Sequence, residues 1–191
     1  MPSTTNDLDM LPDDLPVPVD DGAADHLVGK VLPSIALQAT DGGIVDLSRL
    51  SGTTAIYLYP RTGQPGVPPL VENWNDIPGA RGCTPQSKGF RDLSGEFAAL
   101  GVNVIGLSTQ SSNYQKETVG RLGLPFPLLS DVDLKLANAI RIPTFEAAGQ
   151  MLFKRMAWVI DSGKIVKVFY PAFPPDKNAH EVLTWLHSRS C

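Results

Sequence analysis

Apolar positions come in short bursts along this chain, and the period of the bursts changes in a regular order. Residues 53–59, Thr-Thr-Ala-Ile-Tyr-Leu-Tyr, are β-branched or aromatic almost throughout, which predicts a buried strand ending at Pro60. Phe90, Leu93, Phe97 and Leu100 then recur at helical spacing and predict a helix over 85–100, stopped by Gly101. The apolar run 102–108 predicts a second strand, so the three elements make a β-α-β unit with a parallel pair and a right-handed crossover. The pattern repeats more loosely, with a helix from Ser111 or Ser112 to Leu122, a strand over 126–129 and a small helix over 133–140. Runs at 156–161 and 164–170, joined at Ser162-Gly163, predict an antiparallel hairpin. Asn178 with Glu181 predicts a capping box for a last helix, on which Val182, Trp185, Leu186 and Arg189 form one stripe. Ahead of all these, 34–39 and 44–47 flank Asp41-Gly42-Gly43 and predict an N-terminal hairpin.

Strands alternating with helices, followed by a hairpin and a helix, describe an α/β fold: a thioredoxin-like α/β/α sandwich with a mixed central sheet. Two segments lie outside the pattern. Residues 1–27 hold seven aspartates and four prolines with no Lys or Arg before Lys30, predicting an acidic extension, solvated or loosely docked, ahead of a domain over 28–191. Residues 61–82 hold four prolines and four glycines without helical period, and an irregular connection of that length is usually functional. Trp74, isolated within it, needs an apolar surface to bury against.

The chain has 191 residues, of which 42% are hydrophobic and 19% charged, the balance of a globular domain rather than a disordered one. No apolar run approaches the roughly 20 residues of a membrane-spanning helix, and no basic segment followed by an apolar one marks a signal peptide, so a cytoplasmic location is expected. Two distant cysteines and three histidines without ligand spacing predict no disulfide framework, no metal and no cofactor. A net charge of −4 argues against nucleic acid as a partner.

The chemistry concentrates at Gly82-Cys83-Thr84-Pro85. Thr84 as an N-cap and Pro85 at the first helical position put Cys83 at or just before a helix N-terminus. Free backbone N–H groups and the positive end of the helix dipole there favour a thiolate, and Arg81 adds charge. A reactive cysteine is the functional reading; a small buried hydrophobe is the bland one.

Five blocks in order carry a resemblance: Tyr57-Leu58-Tyr59-Pro60-Arg61, the stretch from Gly82-Cys83 through Gln86 and Phe90 to Asp92, Ile105-Gly106-Leu107-Ser108, Phe126 to Asp131, and Arg155 to Asp161. Together they resemble a peroxiredoxin of the alkyl hydroperoxide reductase/thiol-specific antioxidant family, closest to its bacterioferritin-comigratory-protein, or Q-type, branch. The resemblance spans about 28–186. It implies a thiol-dependent peroxidase in which Cys83 attacks hydrogen peroxide or an organic hydroperoxide and becomes a sulfenic acid. It also implies that Arg155 is the active-site arginine and Gln86 the polar residue one turn into the helix. An external thiol (thioredoxin, glutaredoxin or glutathione) would be the reductant, and a homodimer is a further partner to test. Chemically, Arg155 suits both thiolate and departing oxyanion, because its guanidinium stays charged and offers donors in a fixed fork.

The chain departs from the family at the approach to the cysteine. The usual proline and threonine positions before Cys83 hold Asp76 and Ala80. If the block starts at Tyr59-Pro60-Arg61, about 16 residues over 67–82 are inserted; Pro60 then recovers the shielding proline, Gln64 takes the threonine position and Thr62 is the nearest substitute hydroxyl. Lys88 stands where the Q-type branch often has a resolving cysteine, which leaves Cys191 as a candidate resolving thiol beside an external one. Arg141-Ile142-Pro143-Thr144 resembles the cis-proline segment of thioredoxins, but Pro143 is expected only to end the short helix at Ile140. The broken motif keeps a second class open: a non-peroxidatic thioredoxin-fold thiol exchanger or binding module.

Overall fold

The computed structural model describes residues 8–190. The predicted N-terminal hairpin is β1 (Ala36–Ala39) and β2 (Ile44–Asp46), followed by β3 (Thr53–Leu58). The crossover after β3 is helical in two pieces, α1 (Cys83–Asp92) and α2 (Ser94–Ala99), and leads into β4 (Asn103–Ser108). Then come α3 (Ser112–Leu122), β5 (Leu128–Ser130) and α4 (Lys135–Ile140). The chain ends with β6 (Thr144–Ala147), β7 (Gln150–Phe153), β8 (Met156–Asp161), β9 (Lys164–Phe169) and α5 (Asn178–Arg189).

Seven strands form one sheet in the order β2-β1-β5-β4-β3-β8-β9, while β6 and β7 form a separate hairpin. Strands β3, β4 and β5 are parallel and the other neighbours antiparallel, so the central sheet is mixed as expected. The apolar run of β3 serves both faces of this sheet. Ile56 and Leu58 join a core with Leu27, Leu107, Trp158 and Ile160, whereas Ala55, Tyr57 and Tyr59 join another with Phe90, Phe97, Val182 and Leu186. Side chains alternate across a strand, so a strand covered on both sides has no polar face to show. Tyr57 stacks on Phe90 with ring centroids 4.6 Å apart, a pair worth roughly 0.5–1.5 kcal/mol beyond its buried area. Its register partner is Gly106, where an added Cβ would stand 2.8 Å from the Tyr57 ring and 2.4 Å from Leu128. Gly106 is the space in which Tyr57 stands.

Four expectations change. The helix over 85–100 breaks at Leu93 (φ −97°, ψ 5°), at the weak helix formers Ser94 and Gly95, yet Phe90 and Phe97 still stack across the break at 5.7 Å. The capping box is absent: Lys177 is the N-cap without a side-chain bond, and Asn178 is the first residue of α5. The β6–β7 hairpin, turning at Ala148-Gly149, was not foreseen. Finally, residues 8–27 are not the loose extension their composition suggests. Ala24 and Leu27 are buried in the first core, and the backbone continues beside β9, with Gly29 N donating to Ile165 O at 2.7 Å. The peptide bond before Pro143 is trans, and α4 ends at Ile140 as expected.

Candidate active site

Gly82 turns the chain into α1 from a left-handed conformation (φ 114°), and an added Cβ there would lie 2.5 Å from Pro175. Only glycine meets both demands. Cys83 is therefore the first helical residue, and Thr84 lies inside the first turn instead of capping it. Pro85 costs the helix nothing there, because N–H groups of the first turn have no intrahelical partner.

Arg155 immediately precedes β8, whose Met156 pairs with Leu58 at the end of β3. That register brings the guanidinium to the start of α1. Cys83 is 4% exposed and Arg155 2%. Arg155 Nη2 donates to Cys83 Sγ at 3.2 Å and to Ala80 O at 3.0 Å, while Nη1 donates to Gln86 Oε1 at 2.5 Å. Gln86 Nε2 in turn donates to Asn178 Oδ1 at 3.0 Å. Asn178, expected as a cap, is instead the outer end of a polar chain that fixes the guanidinium.

No ion pair among the described residues involves Arg155. Its partners are instead the sulfur of Cys83, the carbonyl of Ala80 and the amide oxygen of Gln86. Behind the site, burial pushes the phenols of Tyr57 and Tyr59 well above the usual tyrosine range. Both are neutral there; Tyr57 donates to Ser87 Oγ at 3.1 Å.

The sulfur opens into a cavity of about 40 Å3. A water needs about 10–15 Å3 of such space, so the cavity has room for a peroxide-sized molecule. Arg61, Arg81 and Thr84 supply its polar lining, Pro68, Pro69 and Trp74 the apolar wall of the inserted loop, and Leu8 a further contact from the N-terminal segment. Trp74 is 8% exposed and packs with Ala80, Ala147 and Leu152, its ring 6.3 Å from that of Phe145. The loop thus docks on the β6–β7 hairpin.

Three expected residues are elsewhere. Thr62 does not line the cavity; it is buried with Oγ1 2.9 Å from Thr118 Oγ1 and 3.2 Å from Gln110 Oε1. Gln110 also accepts from Thr62 N and donates to Thr62 O, so Thr62 pins the start of the loop. Pro60 is buried beyond β3, and the prolines at the cavity are Pro68 and Pro69. Gln64 is likewise outside the lining. Thr84 and Tyr114 are the hydroxyl-bearing residues of the cavity lining. Lys88 pairs with Asp9 at 2.8 Å, and Cys191 lies outside the described residues.

The redoxin family model matches residues 27–183. Peroxiredoxin Q, chloroplastic, of Suaeda salsa is 31% identical over 162 residues, covering 84% of this chain and 67% of the relative. Peroxiredoxin Q, chloroplastic, of Oryza sativa subsp. japonica is 32% identical over 162 residues, with 84% and 66% covered. The chain thus spans about two thirds of the length of these plant relatives. Among solved structures, peroxidoxin BcpB from Mycobacterium tuberculosis superposes with a TM-score of 0.66 at 25% identity, covering 84% of this chain and 96% of that one. With the family model spanning most of the chain and the fold shared, this chain belongs to the redoxin family, as a peroxiredoxin of the Q-type branch.

Proposed function

We propose that this peroxiredoxin reduces hydroperoxides with Cys83 as the nucleophile and Arg155 as the group that stabilises its thiolate. The observation that carries the reading is the 3.2 Å contact between the sulfur and a buried guanidinium that makes no ion pair among the described residues. The Cys83 sulfur attacks one peroxide oxygen: an S–O bond forms, the O–O bond breaks, and the other oxygen leaves as water or an alcohol once protonated. The first-turn N–H groups and the cavity arginines Arg61 and Arg81 suit the departing oxyanion. Cys83 is then a sulfenic acid. A reductant thiol displaces its oxygen as water to give a mixed disulfide, which a second thiol resolves.

The contacts of Arg155 with Cys83 and Gln86 weigh against the non-peroxidatic alternative. With no cysteine in α1 besides Cys83, the resolving thiol comes from outside that helix, and this reading assigns it to an external thiol rather than to Cys191. The cytosol expected from the sequence would supply such thiols, and so would the compartment that the plant relatives' names give.

Dimedone labelling after one equivalent of hydrogen peroxide tests the reading: the adduct should map to Cys83, and Cys83→Ser should abolish turnover. Unmodified Cys83 in protein that still turns over peroxide sinks it. In peptide maps made without reductant, a Cys83–Cys191 disulfide in high yield would replace the external thiol by an internal one.

A further inference from the structure

Residues 8–21 run across the Cys83 end of the molecule, and the surface beneath them is cut to fit. Three glycines make the floor. An added Cβ at Gly63 would lie 2.8 Å from Leu8, one at Gly82 3.0 Å from Leu11, and one at Gly79 3.7 Å from Pro18. Basic groups hold the edges. Lys88 pairs with Asp9 at 2.8 Å, Arg81 Nη2 donates to Met10 O at 3.1 Å, and Lys154 pairs with Asp21 at 2.9 Å. Tyr170 also donates to Asp21, at 2.8 Å. Leu8 lies on the cavity itself.

We propose that residues 8–21 are a latched strap that sets the size of what reaches Cys83, admitting a small hydroperoxide and shutting out bulky hydroperoxides and protein thiols until it lifts. The inference rests on the reading of Cys83 as the peroxide-reactive sulfur. Its physical content is a mismatch of sizes. A sulfur whose residue is 4% exposed and whose cavity is bordered by Leu8 is approached more easily by hydrogen peroxide than by a cumyl group or a reductant cysteine on its own backbone. Most of the irregular wall belongs to the inserted loop, and the strap completes it with Leu8, held there by the side-chain latches of Lys88 and Arg81. Its ion pairs are partly solvated, so each is weak and screened by salt. A partner with an acidic surface would compete for Lys88, Arg81 and Lys154 and open the strap as it docks.

The test compares the wild-type chain with the variant Asp9→Asn, Leu11→Ala, both with Cys191→Ser. Oxidation of Cys83 is followed with hydrogen peroxide and with cumene hydroperoxide. In the variant the cumene hydroperoxide rate constant should rise at least tenfold while the hydrogen peroxide rate constant stays within about threefold. Alkylation of Cys83 is followed separately with iodoacetamide and with a polyethylene glycol maleimide, since this readout does not depend on peroxidase activity. The ratio of bulky to small reagent should rise at least tenfold in the variant, and in the wild type it should rise between 0.05 M and 0.5 M salt. An unchanged selectivity in both readouts overturns the strap. Alkylation ratios that shift in protein whose Cys83 ignores hydrogen peroxide would instead keep the strap and overturn the catalytic reading.

Discussion

Among the described residues the buried guanidinium of Arg155 makes no ion pair, and its partners are a sulfur, a carbonyl and an amide oxygen. Arg155→Lys keeps the charge but cannot reach Cys83, Ala80 and Gln86 at once, because an ammonium is a point charge on a flexible stem. The second-order rate constant with hydrogen peroxide should fall about 100-fold, equivalent to about 2.7 kcal/mol of transition-state stabilisation. A stopped-flow value within twofold of wild type would make Arg155 a structural charge. The residues found from sequence, Cys83, Gln86 and Arg155, are those whose neighbours fix them: a helix start, the next turn, and a strand that must return beside β3. Thr62 misled because a hydroxyl near the end of β3 can serve either the cavity or the interior, and only the position of Gln110 and Thr118, some fifty residues on, decides between them. Asn178 misled in the opposite sense. Its spacing from Glu181 fits a cap, but its oxygen is already taken by Gln86.

Among the elements, the inserted loop depends on a hairpin that the apolar pattern did not reveal. Strands β6 and β7 are four residues each and pair only with one another, so no long alternating run announces them. Their use is to seat Trp74. Trp74→Ala should cost about 2–3 kcal/mol in urea unfolding, below the range for fully enclosed tryptophans because this cluster is peripheral. Hydrogen exchange should accelerate at least tenfold across 61–82 while β3 and β4 keep their protection. Uniform acceleration over the sheet would show the loop and the sheet to be one cooperative unit. The strands and helices of the main sheet were legible because each buries a periodic face. The strap was not, because what holds it is a row of glycines and basic groups far along the chain, and composition alone reads as solvated.

At the scale of the molecule, two cores share one sheet, and the one behind the active site holds two phenols in apolar surroundings. Burial keeps Tyr57 and Tyr59 protonated beyond their ordinary 10.0, while in the unfolded chain both ionise near that value. Stability should therefore be full below pH 10 and decline above it, by about 1.4 kcal/mol per tyrosine one unit higher. Urea midpoints at pH 8 and pH 11 check this. The double variant Tyr57→Phe, Tyr59→Phe should have the shallower decline, and an equal decline would assign the alkaline loss to other groups.

The strap also sets an order of events at the ribosome. Asp21 emerges long before the groups that latch it: Lys154 follows 133 residues later and Tyr170 149 residues later. At 5–20 residues per second, that gap is roughly 7–30 s. Leu8, Asp9 and Met10 meet Gly63, Lys88 and Arg81 much earlier in synthesis, whereas Asp21 waits unlatched until the last strand of the sheet is made. The strap can therefore close only from its cavity end outward, and its far end is the last part of the molecule to be fastened.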